Sequence, residues 1–191
     1  MSKKLRMMKT QSRLLFLFLQ FLLYGEVIGQ GVDSTSNDIR EATRKIELRD
    51  SGFFLYYEVR GDAYLSVGML NEAINDYSHY LDYDRDLEVL FRRSYTYYLS
   101  KKYEDCLIDI NEVLSREGNK NIYFYLQAEV NRLLENYKVS LILFDLLINN
   151  LPNGDLLIEA HKSREIIING LSKKELDSIG YSIKNQSSPN E

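Results

Sequence analysis

The stretch that decides the fold is RGDAYLSVGMLNEAINDYSHYLDYD, residues 60–84. Small and apolar residues recur on both sides of Gly68 at the three- and four-residue spacings of an amphipathic helix. Ala73, a small residue, follows the glycine, and Tyr77 stands one helical turn later on the same face. This pattern predicts two helices that are joined by a tight turn and packed closely against each other.

The same pattern returns twice further along the chain, at a nearly constant interval. Three sets of positions recur. Small residues after each predicted turn are Ala73, Cys106 and Ser140. Small residues on each first helix are Gly61, Ser94 and Ala128. Large apolar residues on each second helix are Tyr77, Ile110 and Phe144. The interval matches the period of about 34 residues that predicts stacked helical hairpins.

Residues 60–84 resemble the tetratricopeptide repeat family. The resemblance lies in the first glycine, the spacing of alanine and tyrosine, the glycine at the turn and the Glu-Ala-Ile that opens the second helix. The resemblance covers residues 54–154, in repeats 54–86, 87–120 and 121–154. The third repeat is degenerate, since Asn131 stands where the others have tyrosine. The resemblance implies an all-α fold, a right-handed α-solenoid of about three tetratricopeptide hairpins.

The amino terminus has the pattern of an export signal. Five basic residues precede an apolar run, LLFLFLQFLLY, at residues 14–24. The run is shorter than the about 20 residues that cross a bilayer, so residues 1–29 are predicted to be a signal peptide cleaved before Gln30. The expected location is therefore periplasmic, cell-envelope-associated or secreted. An uncleaved anchor that holds the chain at a membrane is the alternative.

The remaining segments flank the repeats. A capping helix is predicted over residues 33–53, where Ile39, Ala42 and Ile46 share one stripe. Two capping helices are predicted over residues 155–180, the second of them beginning after Ser172. The polar residues 181–191 are predicted to be a disordered tail.

Charge and composition argue against several classes of function. Residues 1–29 hold five basic and one acidic side chain, so their removal leaves 19 basic and 27 acidic residues, a net charge of −8. Such a domain would be repelled by nucleic acids. A single cysteine, Cys106, excludes an intramolecular disulfide and is predicted to be a buried packing residue. With two histidines and no catalytic motif, we expect no enzymatic activity, no cofactor and no metal.

The resemblance also implies where a partner would bind, because first helices line a concave groove in this family. Carried over by register, the residues expected in the groove are Leu55, Glu58, Asp62, Leu65, Phe91, Tyr95, Tyr98, Leu99, Ile122, Tyr125, Glu129 and Arg132. The lysine and asparagine clamp with which some members hold acidic tails is missing. An aromatic or basic partner segment would suit this surface. The alternative for Tyr98 and Leu99 is packing inside the stack.

Two hypotheses of function follow. The first is a non-catalytic adaptor that holds a peptide segment or helix of a partner protein in the groove. The second is a self-associating structural or accessory subunit of a membrane-associated complex, in which the ends of a short stack pair with another copy. A further expectation concerns register: Asp76 is predicted to form an ion pair with Arg92 or Arg93 of the next hairpin.

Overall fold

A computed structural model describes residues 32–49, 51–117 and 121–181 of the chain. Within these ranges the chain forms nine helices and no strand, which confirms the all-α prediction. The helices are α1 (Val32–Glu47), α2 (Leu55–Ser66), α3 (Leu70–Leu81), α4 (Leu87–Leu99), α5 (Tyr103–Glu117), α6 (Asn121–Leu133), α7 (Tyr137–Asn150), α8 (Asp155–Gly170) and α9 (Lys173–Ser178).

Consecutive helices pack against each other in pairs. Helix α2 packs on α3 and α4 packs on α5, with α1 against α2 and α3 against α4; further along, α7 packs on α8. This arrangement is compatible with a helical repeat. The chain divides into two compact units, and the division falls within α6 after Leu126.

The three interhelical turns share one conformation. Gly68, Lys101 and Glu135 recur at the spacing of the repeat and adopt positive φ angles of 77°, 60° and 61°. The amide of the next residue then donates to a carbonyl five residues back: Met69 to Tyr64 at 2.9 Å, Lys102 to Tyr97 at 2.9 Å and Asn136 to Asn131 at 2.8 Å. These are the bonds of a Schellman motif, which satisfies carbonyls at a helix end.

The small residues predicted from the repeat lie where two helices come closest. Ala73, Cys106 and Ser140 are fully buried, as are the large residues Tyr77, Ile110 and Phe144. At Gly61 the approach is so close that an added Cβ would lie 2.8 Å from the Tyr77 ring. The predicted burial of Cys106 is confirmed.

Each of the first two hairpins is tied internally by an ion pair. Arg60 donates two hydrogen bonds to Asp76, at 2.7 and 2.8 Å, and Arg93 donates two to Asp109 at the same distances. The prediction that Asp76 pairs with the following hairpin is therefore wrong. The remaining guanidinium nitrogen of each arginine donates to the helix that precedes the hairpin. Arg60 donates to Thr43 of α1 and Arg93 donates to Ser78 of α3, both at 3.0 Å.

Helices also form on either side of residues 54–154. Helix α1 ends at Glu47, short of the predicted boundary at residue 53, and Ala42 is buried on its inner face. Helix α9 begins at a capping box in which Ser172 and Glu175 exchange hydrogen bonds. No helix in the described part of the chain has both the length and the apolar character needed to cross a membrane. The predicted signal peptide, residues 1–29, and residues 182–191 of the predicted tail lie outside the described residues.

Candidate functional site

The residues predicted for the groove fall on α2, α4 and α6. On α2, Leu55, Glu58 and Asp62 follow one another at three- and four-residue spacing, so they share one face of the helix. Leu55 is exposed, and the Asp62 side chain is 43% exposed. This face therefore offers an apolar and an acidic side chain to the surroundings.

The carboxylates on this face converge on a buried arginine. Arg92 of α4 donates to Glu58 at 2.9 Å and to Asp62 at 3.0 Å, and its other terminal nitrogen lies 3.9 Å from Glu88. The Tyr77 hydroxyl, from α3, donates to Asp62 at 2.8 Å. We call Glu58, Asp62, Glu88 and Arg92 the Arg92 cluster.

Within the Arg92 cluster, three carboxylates each have an oxygen within 4 Å of one guanidinium. Burial alone would lower the pKa of Arg92, but Asp62 and Glu58 outweigh it and raise the pKa above its ordinary value. Arg92 is thus a permanent cation. Its side chain is 3% exposed, whereas Asp62 is 43% exposed. Asp62 is therefore the most accessible charged side chain of the cluster.

Two of the predicted aromatic residues of α4 are buried within the fold. Phe91 packs its ring 4.7 Å from that of Tyr123. Tyr95 is buried, and its ring stacks on that of Tyr98 with the centroids 6.3 Å apart. Burial is the main cause that raises the pKa of Tyr95, and electrostatic interaction with Tyr98 raises it further. Tyr98 and Leu99 are half-buried. On α4, Tyr98 is therefore the predicted aromatic residue that keeps part of its surface accessible.

The residues predicted on α6 are placed as follows. Tyr125 is buried, and Ile122 is half-buried. Glu129 is buried and accepts two hydrogen bonds from Arg132 at 3.0 and 2.7 Å, one helical turn away. The Arg132 side chain is 23% exposed. Glu129 is thus engaged by a neighbour of its own helix.

Sequence reasoning did not identify Arg92 as the centre of this site. The signal was present, because the step from Glu58 to Arg92 is close to one repeat period. Residues one period apart stand side by side on successive first helices, so an acidic and a basic residue at that spacing indicate an ion pair between hairpins. The contribution of the Tyr77 hydroxyl could not be read from the sequence, which shows only an aromatic residue at a core position.

The histidines and carboxylates of the described residues form no metal site. No group of three or more His, Cys, Asp or Glu side chains is arranged there to hold a metal ion. His79 is exposed and packs against the Tyr57 ring at 5.1 Å, and His161 is half-buried.

In comparisons with known proteins, neither a protein-family model nor a curated protein sequence matches this chain.

Proposed function

We propose that this protein is a non-catalytic adaptor that binds a basic segment of a partner protein along α2 and α4. Its scaffold, in this proposal, is a right-handed solenoid of about three tetratricopeptide-type hairpins. The left-handed turns at Gly68, Lys101 and Glu135 support a repeat, because they recur at intervals of 33 and 34 residues.

The observation that supports the binding proposal is the accessibility of Asp62, whose side chain is 43% exposed while the Arg92 side chain that it binds is 3% exposed. A lysine or arginine of a partner segment would gain an ion pair with the accessible Asp62 without displacing Arg92. Leu55 and Tyr98 provide apolar contact on either helix for a neighbouring aliphatic or aromatic side chain.

A peptide library tests this proposal directly. Labelled twelve-residue peptides that pair tyrosine with arginine should bind the protein, while peptides that pair tyrosine with glutamate should not. Asp62→Asn keeps an oxygen that accepts from Tyr77 but removes the charge. We expect it to weaken binding about fivefold, as loss of a partly exposed ion pair of about 1 kcal/mol would.

The matched control is Glu72→Gln on α3, which removes one exposed carboxylate away from the Arg92 cluster. It should leave the affinity unchanged, and binding of the basic peptides should weaken as salt is raised. Equal binding of acidic and basic peptides, or equal effects of the two substitutions, would contradict the proposal.

We further propose that the adaptor works outside the cytoplasm, in the periplasm, at the cell envelope or as a secreted protein. The basic start and the apolar run at residues 14–24 support export. Mass spectrometry of the protein recovered from its host should find Gln30 as the first residue. An intact amino terminus would favour the membrane anchor instead.

A further inference from the structure

Helix α7 presents an apolar stripe to solvent. Val139, Ile142 and Leu146 are 46%, 55% and 45% exposed, and their spacing of three and four residues places them on one face. The opposite face carries Leu141, Phe144 and Leu147, which are buried. The helix is therefore apolar on two sides, and only one of them is covered within the described residues.

The repeat provides an internal control for this observation. One and two periods earlier, the same three positions on α5 and α3 also lie at the surface, exposed or half-buried. Their residues are Asp105, Ile108 and Glu112 on α5, and Glu72, Asn75 and His79 on α3. The matched face thus carries no large apolar residue in the first hairpin and one in the second. A continuous apolar stripe at these positions occurs on α7 alone of the three second helices.

The charges at the ends of α7 indicate what covers the stripe. Its first turn has no acidic residue and carries the exposed Lys138, and its last turn has no basic residue. A cation at the amino end of a helix opposes the macrodipole, and the carboxyl end lacks the cation that would favour it. An antiparallel copy of α7 would correct both ends at once, because Lys138 of each helix would lie beside the carboxyl end of the other.

We propose that α7 is the contact helix of a homodimer, in which the stripe pairs antiparallel with the stripe of a second copy about a two-fold axis near Ile142. In this arrangement Val139 of each protomer faces Leu146 of its partner, as an isologous interface requires. This surface lies on the second helix of its hairpin, so the proposal is independent of peptide binding at the Arg92 cluster. Three apolar side chains per protomer make a small contact, and association should depend strongly on concentration.

Light scattering of the full chain over a range of concentrations tests the dimer. The wild-type mass should rise from one chain toward two. Ile142→Glu places a charge at the two-fold axis and should raise the dissociation constant at least about tenfold. Ile108→Glu, the same change at the matched position on α5, where the side chain is also exposed, should leave the mass unchanged. Lys138→Glu should weaken the dimer at low salt.

Disulfide cross-linking between copies provides a second test of the dimer, and it does not require a substitution that weakens the interface. Position 142 lies near the axis, so Ile142→Cys should form a disulfide between copies under mild oxidation, while Ile108→Cys should not. The native Cys106 is fully buried and would not compete. A wild-type chain that stays monomeric at every concentration overturns the proposal. So does association that Ile142→Glu leaves intact, for example through residues 14–24.

Discussion

In the first and third hairpins, different side-chain bonds join the two helices. In the first, Arg60 and Asp76 join α2 to α3 through two charged hydrogen bonds, and the second hairpin repeats this with Arg93 and Asp109. In the third, the matched positions hold Gln127 and Leu143. The Ser140 hydroxyl of α7 instead donates to the Ala128 carbonyl of α6 at 2.8 Å, so a small buried residue links the two helices.

This difference shows that close helix packing, rather than the ion pair, is the common requirement. Small residues occupy the contact position in all three hairpins, whereas the ion pair is present in two. A buried pair adds little net stability, because desolvation offsets most of its attraction, but it is costly to break. The first two hairpins should therefore be the more sensitive to single substitutions at these positions.

The largest effect is expected when one partner of the Arg60–Asp76 ion pair is removed. Asp76→Ala leaves Arg60 without its carboxylate in a largely buried place and should lower the free energy of unfolding by about 3 kcal/mol. The double change Arg60→Gln and Asp76→Leu installs the residues of the third hairpin and should recover most of that loss. Chemical denaturation followed by circular dichroism measures both. If the double variant is no more stable than Asp76→Ala, the ion pair itself is required.

A second test uses alkaline pH. Burial, with the charges of Glu58 and Asp86, raises the pKa of Tyr80 from 10.0 to about 12. The folded state therefore keeps this proton after the unfolded chain has lost it. The resulting stability is fully present below pH 10 and is lost as the pH rises from 10 toward about 12. The melting temperature should fall as the pH rises across this window, and it should fall less in the Tyr80→Phe variant. The exposed Tyr83, changed to Phe, is the control that should melt like the wild type.

A smaller effect is expected at the helix contact of the first hairpin. Gly61→Ala adds a carbon that would lie 2.8 Å from the Tyr77 ring, so the ring or the helix must shift. Overpacking of this kind costs about 1–3 kcal/mol, which should exceed the gain from better helix propensity. Ser94→Ala, at the matched position of the second hairpin, adds no atoms but removes one buried hydrogen bond and should cost about 1 kcal/mol. A more stable Gly61→Ala variant would mean that the contact is loose.

The smallest effect is expected at the joint of the third hairpin. Ser140→Ala removes one buried hydrogen bond and should cost about 1 kcal/mol. Ser140→Cys, which installs the residue of the second hairpin, tests whether volume matters as much as the bond. A loss as large as that of Asp76→Ala would erase the contrast between the hairpins.

Much of the fold could be predicted from the sequence, because its determinants are local. The regular spacing of small and apolar residues predicted an all-helical chain, and Ser172 predicted the start of α9. Partner choice among charged residues could not be predicted. Arg60 and Arg93 stand in equivalent places, but periodicity does not distinguish an Asp76 bond to its own hairpin from one to the next.

For the candidate site, the sequence indicated which residues share a helix face but not which of them are buried. Register placed Glu58 and Asp62 on one face of α2, where the structure has them. It could not reveal that Phe91, Tyr95 and Tyr125 are buried, because an aromatic residue on a helix between two neighbours suits a core and a surface equally well. Burial depends on how closely the next helix approaches, which a one-dimensional pattern does not contain.

The left-handed turns have a stereochemical consequence. Lys101 and Glu135 adopt the positive φ that an L-amino acid resists and its mirror image prefers. A chemically synthesised chain with D-lysine at position 101 would hold the same turn with less strain, a relief of about 1 kcal/mol. The same enantiomer one residue earlier, at Ser100, would unwind the end of α4. Handedness at a single carbon would then raise or lower the stability of the second hairpin, according to its place in the turn.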